Sequence, residues 1–540
     1  MAKVATAAVA TATARARKDI EMQKLSVIAV AAALLGGCTM MPWYHRPAAP
    51  VSQTFPEGGV YATQPGQPGG TPAGEGGRSA NGAAATDIGW RDFFADPRLQ
   101  QIIEIALKNN RDLRVSVLNI EAARAQYQIT RAELFPSING VGSLSRERVP
   151  RDLSSTPNYD PSGVYNVGLQ ASWEIDFWGR IRSLKAQALA QYLATAEARK
   201  AAEMSLVSQV ANQYLTMLAD DDLLKVTQET LKNAQDSYNI TKAEFDNGTG
   251  SELDLRQAQT VVEAAQANLQ AQARARAQDE NALVLLVGEP LPADLPAGLP
   301  LGSQNLLTDI PAGLPSDLLT RRPDIMEAEQ QLRAANANIG AARAAFFPKI
   351  SLTAAFGTES LTLGGLFKAG TAAWSFAPQI SMPIFEAGSN IANLQLANVE
   401  KRIEIANYEK AIQSAFREVA DGLAARGTYD QQIAAQERNT FANQRRLELS
   451  ELRYKNGVDS YLSVLTAQTD LYSAQQALIQ TRLARLTNLV NLYGALGGGW
   501  IQHAGETPRP ADTTAGDDGA GSAAAAAASA PSAASAPSAG

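Results

Sequence analysis

Residues 112–138 read DLRVSVLNIEAARAQYQITRAELFPSI, and residues 324–350 read DIMEAEQQLRAANANIGAARAAFFPKI. The two stretches lie 212 residues apart and agree at several positions, among them Arg131 and Arg343 and the Phe-Pro pair near each end. Because proline disfavours helical backbone in the residue before it, each Phe-Pro pair predicts the end of a helix. The repetition indicates that one structural unit is present twice.

A second match extends this duplication toward the C-terminal end of each unit. FDNG at 245–248 aligns with YKNG at 454–457, and Gly288 aligns with Gly497. The chain is therefore predicted to contain a unit of roughly 190 residues written twice. The predicted domains are a leader with a lipoprotein signal peptide (1–37), a flexible tether (38–86), the first repeat (87–302), the second repeat (303–500) and a disordered Ala/Ser/Pro-rich tail (501–540).

Each repeat is predicted to form a helix, two strands, a very long helix, a tight turn and a returning helix. Asn-Gly pairs, which favour chain reversal, place the two turns at Gly248 and Gly457. The predicted helices are 98–134, 180–247 and 252–287 in the first repeat and 314–346, 389–456 and 460–496 in the second; the predicted strands are 137–148, 165–177, 350–357 and 375–384.

The predicted strands alternate apolar and polar residues. Residues 165–177 place Val167, Leu169 and Trp173 on one face and polar or small residues on the other. This pattern is typical of a strand in a membrane barrel and also of a half-buried strand in a water-soluble sheet. Four strands cannot close a barrel in lipid without leaving backbone groups unpaired, so the membrane alternative requires several chains.

The N-terminal region carries an apparent export signal. Residues 22–38 read MQKLSVIAVAAALLGGC: a lysine, a short apolar run, small residues and the single cysteine of the chain, Cys38. The run is too short for a permanent spanning helix. Its end resembles a bacterial lipobox, which predicts a covalent lipid on Cys38. An ordinary secretory signal is the alternative.

The composition disfavours several classes of function. The net charge is −7, which gives no basic surface for nucleic acid. The chain has two histidines and one cysteine, too few for a His/Cys metal cluster or a Cys–His nucleophile pair. We expect no enzyme activity, no metal and no cofactor apart from the lipid on Cys38.

Several motifs together resemble the TolC-like outer-membrane factors, and specifically their lipidated OprM/NodT branch. They cover residues 38–500 and read WRDFF (90–94), WEIDFWG (173–179), NALVLLVG (281–288), LPSDLLTRRPD (314–324), AFREVADGL (415–423) and LYGALGGGW (492–500). The resemblance implies an α+β membrane protein: a homotrimer whose 12-stranded outer-membrane β-barrel, four strands per chain, continues as a long α-helical coiled-coil periplasmic tunnel. It also implies a passive exit duct that works with a periplasmic adaptor protein and an inner-membrane RND pump.

The resemblance further implies a gate at the two tight turns, where the tunnel narrows. Thr466 departs from the branch, which has aspartate there, so Asp459 or Asp470 would have to supply the acidic charge. Helix capping at Asp254 and plain surface packing at Arg453 and Tyr454 are the structural alternatives. The candidate gate residues are Asp254, Leu462, Thr466, Asp459, Tyr454 and Arg453.

Two other functions fit the same sequence. The chain could be the outlet of a type I secretion or metal-efflux system, which keeps the fold and changes the cargo. It could also be a structural envelope lipoprotein without a pore, although the alternating strands argue against this.

Overall fold

The computed structural model describes residues 39–61, 85–147, 162–304, 306–307 and 315–503. Cys38, the leader, part of the tether and residues 504–540 lie outside the described residues. The lipid on Cys38 and the predicted domain boundaries therefore stay predictions.

Within the described ranges, each half of the chain contains the same series of elements. Two long helices of 67 residues each dominate, and at 1.5 Å per residue each extends about 100 Å. The first half contains α1 (Trp90–Phe93), α2 (Pro97–Asn109), α3 (Arg111–Ala132), β1 (Ser137–Glu147), β2 (Ser162–Ile175), α4 (Arg180–Asp246) and α5 (Glu252–Val287); the second contains α6 (Pro315–Arg321), α7 (Pro323–Ala344), β3 (Lys349–Ser360), β4 (Ala372–Ser381), α8 (Ser389–Lys455) and α9 (Tyr461–Ala495).

The four strands form one antiparallel sheet in the order β1-β2-β3-β4. Its register aligns the apolar residues of neighbouring strands: Leu169 lies opposite Phe356, and Phe356 opposite Trp374. The polar and small residues fall on the other face, where Gln170 lies opposite Ala355 and Ala355 lies opposite Ser375. One face of the sheet is thus apolar and the other polar, as the alternation predicts.

The first helix of each repeat differs from its prediction, because it is broken rather than continuous. The predicted helix 98–134 separates into α2 and α3 at Asn110, and 314–346 separates into α6 and α7 at Arg322. Asn110 adopts non-helical backbone, and its side chain accepts from the backbone N–H of Leu113 as a helix N-cap. In the second repeat, Pro323 occupies the first position of the new helix, where proline is tolerated.

Both breaks also lie against the end of the returning helix. Asn110 Nδ2 donates to the carbonyl oxygen of Leu286 at 2.8 Å, and Arg322 Nη1 donates to that of Ala495 at 3.0 Å. Both side chains satisfy a carbonyl that a helix C-terminus leaves unpaired. Asp324 Oδ2 accepts a hydrogen bond from Arg322 Nη2 at 2.6 Å, so an ion pair also stabilises this junction.

The main hydrophobic core surrounds these helix junctions. Phe93 and Tyr493 stack with their ring centroids 4.2 Å apart, and the Tyr214 hydroxyl donates to Asp96 Oδ2 at 3.0 Å. The core joins α1 and α2 to the middle of α4 and the end of α9. It holds the two repeats together at mid-length, with the sheet at one end and the two turns at the other.

Among the described residues, no helix combines the length and the hydropathy needed to cross a bilayer.

Candidate functional site

The two tight turns lie together at the end of the molecule away from the sheet, which we call the tip. Gly248 and Gly457 have φ angles of +73° and +68°, a region that favours glycine. Thr249 N donates to Glu244 O at 2.9 Å, and Val458 N donates to Arg453 O at 2.9 Å. Both long helices therefore end in the same hydrogen-bonded cap, and the chain reverses direction after each of them.

Tyr454 links the two repeats across the tip. Its hydroxyl donates to Glu244 Oε2 at 2.8 Å, joining the last turn of α8 to the last turn of α4. Burial raises the pKa of Tyr454, and the hydrogen bond to Glu244 raises it further. The Tyr454 ring also lies 5.3 Å from that of Tyr461, between centroids. Tyr454 thus ties neighbouring helices, and its role in a gate stays a prediction.

Arg453 makes a local contact instead. Its Nε donates to Asp459 Oδ2 at 3.1 Å, within the same turn. Ser463 Oγ and the backbone N–H of Ser460 both donate to Asp459 Oδ1 at 2.9 Å. The hydrogen bonds from Ser463, Ser460 and Arg453 lower the pKa of Asp459. Asp459 therefore stays ionised and stabilises the turn between α8 and α9.

The other candidate residues lie on the returning helices. Leu462 is 57% exposed, a high value for a leucine next to a packed cluster. The Thr466 hydroxyl donates to the carbonyl of Leu462 at 2.9 Å. Asp254 lies half-buried in the first turn of α5, and Ser251, not Asp254, caps that helix. Capping is therefore excluded as the role of Asp254, and its role in the gate stays a prediction.

A small apolar cluster lies next to the tip, where the helices pack together. It packs α9 against α5 and α8, with Tyr238, Val261 and Tyr454 at its margin. Asp470 lies beyond this cluster and receives Arg446 Nη1 at 2.6 Å, so its charge is paired. The buried members are Ala258, Leu447, Tyr461, Val464, Leu465, Ala467 and Leu471.

Sequence reasoning missed Glu244, the acceptor of the Tyr454 hydroxyl. In the duplication Glu244 aligns with Arg453, so the two repeats carry opposite charges at equivalent positions. That difference between the repeats is the signal that could have singled it out. Within the described part of the chain, no group of three or more metal-binding side chains comes together.

The family model of the outer membrane efflux protein family matches residues 102–289 and 314–498, that is, both repeats. The chain belongs to the outer membrane efflux protein family. Membership confirms the resemblance to the OprM/NodT branch of TolC-like factors, and with it the predicted localisation in the outer membrane.

Curated relatives in this family are similar over nearly their whole length. The probable efflux pump outer membrane protein TtgC of Pseudomonas putida is 50% identical over 490 residues, which cover 91% of this chain and 98% of the relative. The outer membrane protein OprJ of Pseudomonas aeruginosa is 42% identical over 470 residues, covering 87% of this chain and 94% of OprJ.

Solved outer-membrane channels share the fold. The open state of the Neisseria gonorrhoeae MtrE outer membrane channel matches with a TM-score of 0.74 at 41% identity, covering 87% of this chain and 100% of that one. The Campylobacter jejuni CmeC outer membrane channel matches with a TM-score of 0.77 at 27% identity, covering 86% and 96%. The predicted combination of a four-stranded sheet and long helices is therefore confirmed.

Proposed function

We propose that three copies of this chain form the outer-membrane duct of a tripartite efflux system. The duct is a twelve-stranded barrel continued by a helical tunnel, and it takes small molecules from an inner-membrane RND pump through a periplasmic adaptor protein. The observation that carries this proposal is the sheet, which has one apolar face, one polar face and two open edges, β1 and β4.

The open edges require further copies of the chain. In lipid, each unpaired backbone N–H or C=O costs several kcal/mol, so an edge strand must find a partner. A barrel needs about eight strands to close around side chains, and more to leave an aqueous bore. Joining β4 of one copy to β1 of the next satisfies every edge when the ring closes.

The helices below the sheet provide matching contact surfaces for the same ring. On α3 an exposed apolar stripe has the three- and four-residue spacing of a coiled-coil seam, and α8 carries a second one on the opposite flank of the chain. Among the residues that the structure describes, no helix of the same chain covers either stripe, and a neighbouring copy can supply that partner. The stripes are Val115, Leu118, Ala122, Ala125 and Ile129 on α3, and Ala392, Leu396, Val399, Ile403 and Ala406 on α8.

The tip acts as the gate of this duct. The Tyr454–Glu244 hydrogen bond and the Arg453–Asp459 ion pair hold the helix ends in the closed arrangement. Leu462 and Asp254 narrow the opening, and Thr466 gives it less negative charge than an aspartate would. The duct is passive and carries out no chemistry, because the pump supplies the energy.

Planar-bilayer recording of the purified chain tests this function. Discrete conductance steps are expected, and replacement of Leu462 and Asp254 together by alanine should raise the conductance by widening the tip. A chain that inserts without conductance steps is the structural lipoprotein instead, and parental conductance in the double variant would remove these two residues from the gate.

A lipid on Cys38 completes the proposal, since two acyl chains would hold the N-terminal end at the membrane surface. Cys38→Ser should abolish incorporation of labelled fatty acid. Labelling that persists in the variant would rule out this site.

A further inference from the structure

The segment that follows Cys38 lies along the outside of one tunnel helix. We name residues 40–46 the strap. Its contacts on α7 are Arg343, Gly340, Asn336, Arg333 and Glu329, which are spaced by three and four residues and therefore form one stripe of that helix.

The strap is fully extended and runs antiparallel to α7. Six residues of extended chain span about 20 Å, and the fourteen helical steps from Glu329 to Arg343 span about 21 Å. Pro42 and Pro47 favour extended backbone in the residues before them and so disfavour helix in the strap. The strap and this part of α7 therefore have nearly equal lengths, which allows contacts along the whole strap.

The lower end of the strap is fixed by a buried carboxylate. Glu329 is 4% exposed and accepts from Arg46 Nη2 at 2.7 Å, from Arg46 Nε at 3.2 Å and from Arg333 Nη2 at 2.8 Å. The Tyr44 hydroxyl also donates to Glu329 at 3.2 Å. A carboxylate removed from water needs such partners, so strap and helix are coupled at this point.

The upper part of the strap touches the helix through backbone. Asn336 Nδ2 donates to the carbonyl oxygen of Pro42 at 2.9 Å. A Cβ on Gly340 would lie 2.8 Å from the Cα of Met41, so only glycine allows this approach. Beyond the strap the chain continues to Phe55, whose ring stacks on that of Phe416 in α8 with the centroids 5.1 Å apart.

We propose that the strap is a fixed clasp that fastens the N-terminal end of the chain to the tunnel wall at the base of the barrel, and that it stays docked while the tip opens. Met40 lies at Arg343, six residues before β3 begins at Lys349. A membrane anchor attached just before Thr39 is therefore linked through the strap to α7, at the junction of tunnel and sheet. The tunnel, the barrel, the opening tip and the anchor rest on the function proposed above, whereas the contacts between the strap and α7 do not.

A double-mutant cycle on Arg46 and Glu329 tests the clasp. Arg46→Ala, Glu329→Gln and the combined variant are made in the full chain, and thermal unfolding of the purified channel is followed. If the two residues act through one contact, the combined variant loses clearly less thermal stability than the sum of the losses in the two single variants. Additive losses would mean that the strap is not held there.

A second measurement separates a fixed clasp from a moving part and from failure of the proposed function. The amount of channel in the outer membrane and the export per channel are measured for Arg46→Ala, with Arg417→Ala, which removes an exposed ion pair to Asp421 on α8, as the matched control. We expect less channel, unchanged fatty-acid labelling and unchanged export per channel. An unchanged amount of channel, or altered export per channel, would overturn the clasp whatever substrate the pump delivers.

Discussion

At the scale of single residues, the hydroxyl of Tyr454 is the contact that we expect to resist opening of the proposed gate most directly. It bridges the last turns of α4 and α8, which belong to different repeats. A hydrogen bond to a charged acceptor contributes about 1.5–3 kcal/mol, enough to shift a closed–open equilibrium by more than tenfold.

Tyr454→Phe removes only this hydroxyl and keeps the ring. We expect a higher open probability in planar bilayers, because Glu244 loses its donor. Tyr472→Phe is the matched control, since Tyr472 loses a hydroxyl contact to Thr227 at 2.9 Å that lies away from the tip. Equal changes in open probability in the two variants would contradict a specific role for Tyr454.

Asp220 is the second residue with a distinct expectation. It is buried between α4 and α5 beside Asp279, which accepts from Gln213 Nε2 at 2.9 Å. Burial, together with the hydrogen bond and negative charge of Asp279, raises the pKa of Asp220 to about 7. The proton is thus bound more tightly in the folded chain than in the unfolded one, so this carboxyl favours the folded state at low pH.

The stability contributed by Asp220 should fall as the pH rises from the ordinary value of 3.8 to about 7. Asp220→Asn is expected to raise the melting temperature at neutral pH and to flatten its pH dependence over this range. Asp236→Asn, an exposed change on the same helix, should leave both unaltered. A parental pH profile in Asp220→Asn would disprove the raised pKa.

At the scale of elements, local pattern predicted most of the helices and strands but not the breaks within them. The Asn-Gly turns, the Phe-Pro ends and the alternation of β2 are encoded within a few residues each. Asn110 interrupts a helix where its partner, the Leu286 carbonyl, lies 176 residues away in sequence. At Arg322 a local signal was present, since Pro323 follows it, but the contact with the Ala495 carbonyl lies 173 residues away. The contact between Tyr454 and Glu244 could not be predicted from local pattern either, because the two residues are 210 positions apart.

Asn110→Ala tests the importance of such a break. The change removes a helix cap and the donor to the Leu286 carbonyl, and each loss costs about 1–2 kcal/mol. We expect a lower free energy of unfolding. Asn443→Ala, which removes an exposed hydrogen bond within α8, should cost much less. Comparable losses in denaturant titrations would show that the junction at Asn110 adds no stability.

At the scale of the whole molecule, the duplication explains why one chain can occupy a third of a ring. Each repeat supplies two strands and a pair of helices reaching the tip, and the core at mid-length joins the repeats. The sequence predicted this arrangement because the repeat is long and its turns are distinctive. The contact between Tyr454 and Glu244 at the tip could not be predicted, since it depends on how one repeat packs against the other.

The apolar stripe on α8 leads to a prediction about assembly. Ile403 is 52% exposed in the single chain, and in the proposed ring it packs against α3 of the neighbouring copy. Ile403→Glu places a charge in that seam, and burying an unpaired carboxylate costs several kcal/mol. The variant should therefore run as a monomer where the parent runs as a trimer in mass measurements of detergent-solubilised protein. Gln432→Glu, at an exposed polar position farther along α8 that is off the spacing of the stripe, adds the same charge and should leave the trimer intact. Because α3 and α8 form opposite flanks of one chain, trimers that survive Ile403→Glu would mean that the copies meet through another surface.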